Sequence, residues 1–293
     1  MIQEIEHSDF GPSLRLANGD AELIVPTSFG PRILHYAFDG GDNVLGWHPH
    51  AAVETELGEW RPYGGHRLWL APENFPLSYA PDGDAIEYAI EGESSVRLTR
   101  LSDAAGVQKE IVVTLADAGT EVTIDNRLTA TRSDEPAEFA AWALTIMRPG
   151  GEAVVPNEPF APYGRDTLLP VRSMALWSYT DLTDPRWSID KDHIELRCDE
   201  SIGSQQKFGV LNTRGWAAYR LPDVTFVKRY DYLEGAPYPD MNSNTEVYTA
   251  GGFVELETLS PLVKAEPGKT IVHRETWELR TGDAVAELLS ENV

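Results

Sequence analysis

The sequence predicts an all-β protein, a large sandwich with few or no long helices. Three observations predict it. Apolar and polar residues alternate with period two in several segments, Gly, Pro, Asn or Asp separates most of them, and the 3.6-residue period of an amphipathic helix is almost absent.

The elements follow in chain order. Val96 and Leu98 alternate with Arg97 and Thr99, and Val122 and Ile124 with Thr123 and Asp125. Near the end Ile271, His273, Glu275, Trp277 and Leu279 alternate with Val272, Arg274, Thr276 and Glu278. Short runs over Lys109–Leu115, Phe139–Met147, Ile194–Cys198, Trp216–Arg220, Val224–Tyr230 and Phe253–Leu259 fit the same pattern. Asp82-Gly-Asp84, Asp117-Ala-Gly119, Pro149-Gly-Gly151 and Pro267-Gly268 read as turns, the first as a hairpin turn. The best helical pattern is the tail Asp283–Leu289. Without βαβ alternation, repeats or a linker, the expected organisation is one domain over residues 1–293. The stretch Asn157–Trp187, with four prolines and with Tyr163, Trp177, Tyr179 and Trp187, reads as a long loop able to wall a ligand site.

Composition narrows the function. Forty-seven acidic against 24 basic side chains leave a net charge of −23, which opposes nucleic acid and anionic membrane surfaces because both bind through clustered Lys and Arg. Hydrophobic residues at 42% argue for a folded core. A single cysteine, Cys198, no Asn-x-Ser/Thr sequon and a start without a leader pattern lead to the expectation of a cytoplasmic protein. No apolar run reaches the ~18 residues that span a bilayer, so a soluble chain is expected. Gly-x-x-x-x-Gly-Lys-Ser/Thr, strand-borne Gly-x-Gly-x-x-Gly and Gly-x-Ser-x-Gly are absent, and no cofactor is expected. His48-Pro-His50, with His35 and Glu54, is too thin for a zinc site, and no metal is expected.

Two constellations can carry chemistry. In Trp60-Arg-Pro-Tyr-Gly-Gly-His-Arg-Leu-Trp-Leu-Ala-Pro-Glu73, strand alternation puts His66 and Arg67 on opposite faces, so only one of them points at a site. Trp60, Tyr63 and Trp69 offer flat apolar faces suited to the C–H face of a sugar ring; the alternative is core or edge aromatics beside an exposed arginine. The second is Tyr238-Pro-Asp-Met-Asn-Ser-Asn-Thr-Glu-Val-Tyr248 followed by Gly251-Gly-Phe-Val-Glu-Leu-Glu-Thr-Leu-Ser-Pro261, where Phe253, Glu255, Glu257 and Leu259 share a face. Carboxylates roughly 7 Å apart on one strand face raise each other's pKa where the site is partly dry; the alternative is a solvent-facing flank. Lysine is scarce, and Lys228 in Val224–Tyr230 reads as the solvent-facing alternate of an amphipathic strand, with a buried partner of a glutamate as the other reading.

Gly64–Glu73, Phe139–Gly151, Lys207-Phe-Gly209, Asn244–Pro261 and the closing Pro267-Gly-Lys with His273 and Trp277 resemble an uncharacterised family of the galactose-mutarotase-like superfamily, in motif order over roughly residues 10–280. The resemblance implies a β-supersandwich with a sugar site on the concave face of one sheet. In aldose 1-epimerases of this superfamily a late-strand glutamate takes the anomeric proton and a histidine protonates the ring oxygen. Glu255 matches that glutamate and Arg67 the substrate-binding arginine. The epimerase histidine lies in an Asn-His-x-Tyr-Phe-type segment, and Phe139–Met147 holds no histidine. Three readings follow: an aldose 1-epimerase-like isomerase with Glu255 as base and His66 as acid, a non-catalytic sugar-binding or sensing module, or lyase or hydrolase chemistry through Glu255 and Glu257. Arg67, Trp60, Glu257, Asn244 and Lys207 are expected to shape the sugar site. With few cations against many glutamates, a neutral sugar fits better than a sugar phosphate.

Overall fold

The computed structural model describes residues 1–132 and 138–291, and its architecture is the all-β one that the alternation predicts. Two large antiparallel sheets face each other. The first, called the cleft sheet below, runs Met174–Leu176, Gln205–Val210, Thr245–Ala250, Val254–Leu259, Glu138–Met147, His66–Ala71 and Arg32–Ile33 in spatial order. The second runs Glu87–Glu91, Ser95–Arg100, Val107–Leu115, Val122–Ala130, Thr270–Thr281, Val224–Tyr230, Trp216–Arg220, Glu152–Pro156, His193–Arg197 and Trp187–Ile189. A smaller sheet of Ile2–His7, Gly11–Ala17, Ala21–Pro26 and His35–Phe38 completes the main packing.

Each strand buries its alternate residues between the sheets. Leu68, Leu70, Ala141, Val247, Val254 and Leu256 meet Val113, Ile124, Tyr219, Phe226, Trp277 and Leu279 in one cluster, which Leu14, Leu16, Leu23 and Val25 of the small sheet extend. Each fully buried Val, Leu or Ile contributes about 1.5–3 kcal/mol relative to exposure. The tail helix, Val285–Ser290, covers the outer face of the second sheet, where Val285 and Leu288 pack on Val154, Trp216, Ala218 and Val227. The segment expected as a loop is mostly irregular, interrupted by the short strand Met174–Leu176.

A polar layer lies inside this core, and it overturns the solvent-facing reading of Lys228. Lys228 and Glu275 are both fully buried, with Nζ 3.1 Å from Oε1; Lys228 also donates to Leu256 O at 3.1 Å and Trp277 Nε1 to Glu275 Oε2 at 3.0 Å. Thr258 donates to the same carboxylate and meets His273 Nε2 at 2.8 Å. The reading failed because Val224–Tyr230 lies in the middle of the second sheet, covered on both faces. Asp82-Gly-Asp84 is likewise no hairpin turn: Asp82 holds the buried Arg32 guanidinium at 2.6 Å.

Burial would raise Glu275, but Lys228 and the neighbouring histidines outweigh it and bring its pKa to about 2. Burial brings His66 and His273 down to about 4 each, against the partial pull of Glu275. Breaking a buried pair from one side leaves an uncompensated charge, which costs about 3–5 kcal/mol. Lys228→Met is therefore expected to lower stability by that amount, read as a shift of the urea midpoint. Acid adds a second test. Between the ordinary histidine pKa of 6.5 and the folded value of about 4 the unfolded chain binds protons that the native one does not, so stability falls as pH drops through that window. The carboxylate contribution of Glu275, present above its ordinary 4.5, fades only as pH approaches about 2. Urea midpoints measured from pH 7 to pH 4.5 should decline, and His273→Gln should make the decline shallower.

Candidate functional site

The cleft lies on the other face of the first sheet, the one turned away from the second sheet. Its floor follows from strand register. Arg67 stands opposite Leu144 and Trp69 opposite Trp142; Leu144 stands opposite Glu257 and Ile146 opposite Glu255; Glu257 and Glu255 stand opposite Glu246 and Tyr248, and Tyr248 opposite Lys207. Period-two alternation thus brings side chains from five strands onto one surface. The two glycines before His66 set this strand in place. A Cβ on Gly64 would come 2.1 Å from Gly46 O, and one on Gly65 2.0 Å from Ile33 O, both at positive φ, so only glycine admits the close approach.

Two charge clusters occupy the floor. Arg67 Nη2 donates to Glu255 Oε1 at 2.9 Å, and its guanidinium lies 4.5 Å from the Trp69 ring and 5.5 Å from Trp60, a geometry in which ring faces stabilise the cation. Among the described residues, nothing accepts from its buried Nε and Nη1. Lys207 Nζ lies 2.8 Å from Glu246 Oε2 and 3.0 Å from Glu257 Oε2, between the rings of Trp142 at 4.6 Å and Trp177 at 4.7 Å. Trp142 Nε1 donates to Glu257 Oε2 at 2.8 Å. Burial would lower Lys207, but the two glutamates raise it well above the ordinary lysine value. Burial raises Glu246 and Glu257, and each is repelled by a carboxylate neighbour despite Lys207. Two carboxyls crowded onto one lysine thus resist being ionised together, while Lys207 holds its charge between them.

Above the floor is a cavity of about 470 Å³, within the ~300–1,000 Å³ of small-molecule sites. Trp60, Pro62 and Val53 form one wall, Glu73 and Tyr79 another, and Trp177, Tyr179 and Phe253 close the rest. Tyr79 donates to Glu73 Oε1 at 2.5 Å. Burial first, then Glu255 and Glu257, push the Tyr248 phenol up to about 12, so it keeps its proton and acts as a donor at neutral pH. Beside the cleft the short turn Pro239–Asn242 carries three consecutive left-handed residues, Asp240, Met241 and Asn242, with φ of 48°, 60° and 71°. Asp and Asn tolerate this region, so Met241 bears the main cost of about 1–2 kcal/mol, offset by Tyr238 N donating to Asn242 Oδ1 at 3.0 Å and Ser243 Oγ to Asp240 O at 2.8 Å.

Of the residues expected at the site, Glu255, Arg67, Trp60 and Lys207 line this cavity, and Glu257 lies fully buried beneath it. His66 does not reach it. Alternation turns its ring into the interior, fully buried, where Nδ1 meets Thr145 Oγ1 and Nε2 meets Asn126 Oδ1, each at 2.9 Å; a neutral ring gives one nitrogen to donate and one to accept. Asn244 also stays out of the cleft, because its amide ties two segments together, donating to Asn212 O at 2.9 Å and accepting from Asn212 N at 2.7 Å. His35 sits with Glu22 at 3.3 Å while His48 packs on Phe253 with ring centroids 5.1 Å apart, so these two histidines serve different surroundings. Tyr79 and Gln205 lie outside the two constellations read from sequence, and Glu73 and Tyr248, though within them, carry no expected role there. For Tyr248 the signal existed, since it falls two residues from Glu246 on a strand facing Val254–Leu259; for Glu73 and Tyr79 it did not, because loop geometry brings them in.

No protein-family model matches the chain, and no curated protein matches its sequence. Solved structures do. A galactose mutarotase-like protein from Lactobacillus casei ATCC 334, 10% identical, matches 92% of this chain and 100% of its own with a TM-score of 0.54. A galactose mutarotase related enzyme from Lactobacillus acidophilus, 7% identical, matches 92% of this chain and 98% of its own, also at 0.54. A TPR-domain containing protein from Parabacteroides distasonis ATCC 8503, 15% identical, reaches 0.62 over 96% of this chain and 49% of its own. At such identities the likeness is one of architecture, and in architecture the chain is a galactose mutarotase-like β-sandwich.

Proposed function

We propose that the cleft binds a neutral sugar and interconverts its anomers. The observation that carries the reading is the Arg67–Glu255 pair on the floor of an aromatic-walled cavity, 2.9 Å apart and largely shielded from water. Trp177, Tyr179 and Phe253, the lining aromatics that keep exposed surface, offer ring faces to the apolar side of a pyranose, and Gln205, Tyr248 and Glu255 offer hydrogen bonds to its hydroxyls. Both cations of the floor already hold carboxylates, which disfavours a phosphorylated or acidic sugar. The architecture shared with galactose mutarotase-like proteins supports the same reading.

The chemistry needs a base at the anomeric hydroxyl and an acid at the ring oxygen. Glu255 takes the anomeric proton as the bond from C1 to the ring oxygen breaks, and the ring oxygen takes the proton of Tyr248. The open chain rotates about C1–C2. On closure the ring hydroxyl returns its proton to the Tyr248 phenolate, and Glu255 gives its own to the new anomeric oxygen, so both groups are reset. A phenol near 12 is a weak acid at pH 7, yet stronger than the sugar hydroxyl its proton creates, and it stays loaded for every turnover. His66, buried behind the sheet, takes no part.

The non-catalytic reading has one observation in its favour: one Glu255 oxygen already accepts from Arg67 before any sugar arrives. Exchange NMR of hexose and pentose anomers separates the two. Catalysed exchange is expected in the wild type, with Glu255→Gln reducing kcat by about 10²–10⁴-fold and Tyr248→Phe lowering kcat more than it raises KM. Exchange at the rate of the buffer blank, with sugar binding in calorimetry, would assign the protein to the binding modules. Arg67→Ala is expected to weaken binding by about tenfold or more, since it leaves Glu255 on the cavity floor without the partner that holds it.

A further inference from the structure

The cleft continues past the cavity around Glu255. A second cavity of about 400 Å³ adjoins it and shares Glu73, Tyr79, Trp142, Trp177 and Lys207 as a common border. Each cavity alone is large enough for a small ligand, so the groove exceeds what one monosaccharide would fill.

The second cavity adds two residues, Phe75 and Asp240, and both are unusual in their setting. Phe75 is 59% exposed at the rim, its ring 5.5 Å from that of Tyr79, an apolar face left open to solvent on the cleft side. Asp240 is half-buried and belongs to the left-handed turn Asp240–Asn242. Backbone held in sparsely populated conformations concentrates at ligand sites, where the strain fixes a side chain that a relaxed turn would aim elsewhere. An exposed aromatic face beside a fixed carboxylate is the chemistry that receives a sugar ring: the face stacks on its C–H side and the carboxylate accepts from its hydroxyls.

We infer that the second cavity is a subsite for the next ring of a neutral oligosaccharide whose reducing-end ring lies over Glu255, with Phe75 as its platform and Asp240 as its hydroxyl acceptor. This rests on the sugar reading given above and extends it. The preferred substrate class is then reducing oligosaccharide ends rather than free monosaccharides, because the anomeric carbon must sit in the first cavity and the second ring must follow the groove.

Calorimetry on matched probes tests it: glucose against maltose, cellobiose and lactose, galactose against galactobiose, mannose against mannobiose, and xylose against xylobiose, each with the wild type, Phe75→Ala and Asp240→Ala. In at least one set the disaccharide is expected to bind about tenfold tighter than its monosaccharide. In each variant that ratio should fall to within about twofold. Equal or tighter binding of the monosaccharide in every set that binds, or a ratio that survives in both variants, would overturn the subsite while leaving the sugar reading in place. Absence of binding by all probes would overturn the sugar reading and the subsite with it.

Discussion

Charges inside this sandwich persist only where an opposite charge holds them, and that constraint organises both faces of the cleft sheet. On the dry face Lys228 and Glu275 neutralise each other amid Thr258, Trp277 and two histidines. On the cleft face Arg67 holds Glu255, and Lys207 holds Glu246 and Glu257. A buried ion without a partner costs several kcal/mol, whereas a paired and hydrogen-bonded one is close to neutral for stability. The chain has only six lysines, and Lys109, Lys207 and Lys228 are all buried against carboxylates. Against a net charge of −23, these placements are where the scarce cations matter most.

The two faces differ in what the pairing permits. The dry cluster is closed, with its carboxylate oxygens bonded to Lys228, Thr258 and Trp277. The cleft cluster is open toward the cavity. Arg67 keeps two buried donors without a partner among the described residues, as Glu257 keeps one buried oxygen. Unsatisfied groups of this kind cost about 1–3 kcal/mol each unless water or a ligand meets them. The cleft floor therefore carries a buried polar cost that the closed cluster does not, and above it Trp177, Tyr179 and Phe253 present apolar surface to the cavity.

Much of the fold was legible because it is written locally. Alternation at Val96–Leu98, Val122–Ile124 and Ile271–Leu279 places each inward residue correctly, and the Gly64-Gly65 break marks the strand that bears Arg67. The same rule placed His66 and Arg67 on opposite faces, and Glu255 with Glu257 on one. It does not say which face meets the second sheet, since that depends on strands far away in sequence; His66 was assigned to the cleft and belongs to the core. Lys228 was misread for the same reason: an amphipathic pattern implies solvent on one side, and the tail helix with the opposing sheet removes it. Asn244 sits beside a site strand in sequence, yet its amide is consumed by Asn212. Tyr79, Glu73 and Asp240 enter through loops whose course no periodicity records.

In the proposed complex a sugar ring lies over the Arg67–Glu255 floor, against Trp177, Tyr179 or Phe253. A crystal structure with a bound reducing sugar tests it most directly. The expected result is a ring stacked on Trp177, Tyr179 or Phe253, the lining aromatics that keep exposed surface, with its anomeric hydroxyl within hydrogen-bond distance of Glu255. A sugar bound elsewhere on the molecule, or an anomeric hydroxyl turned away from Glu255 toward solvent, would contradict it.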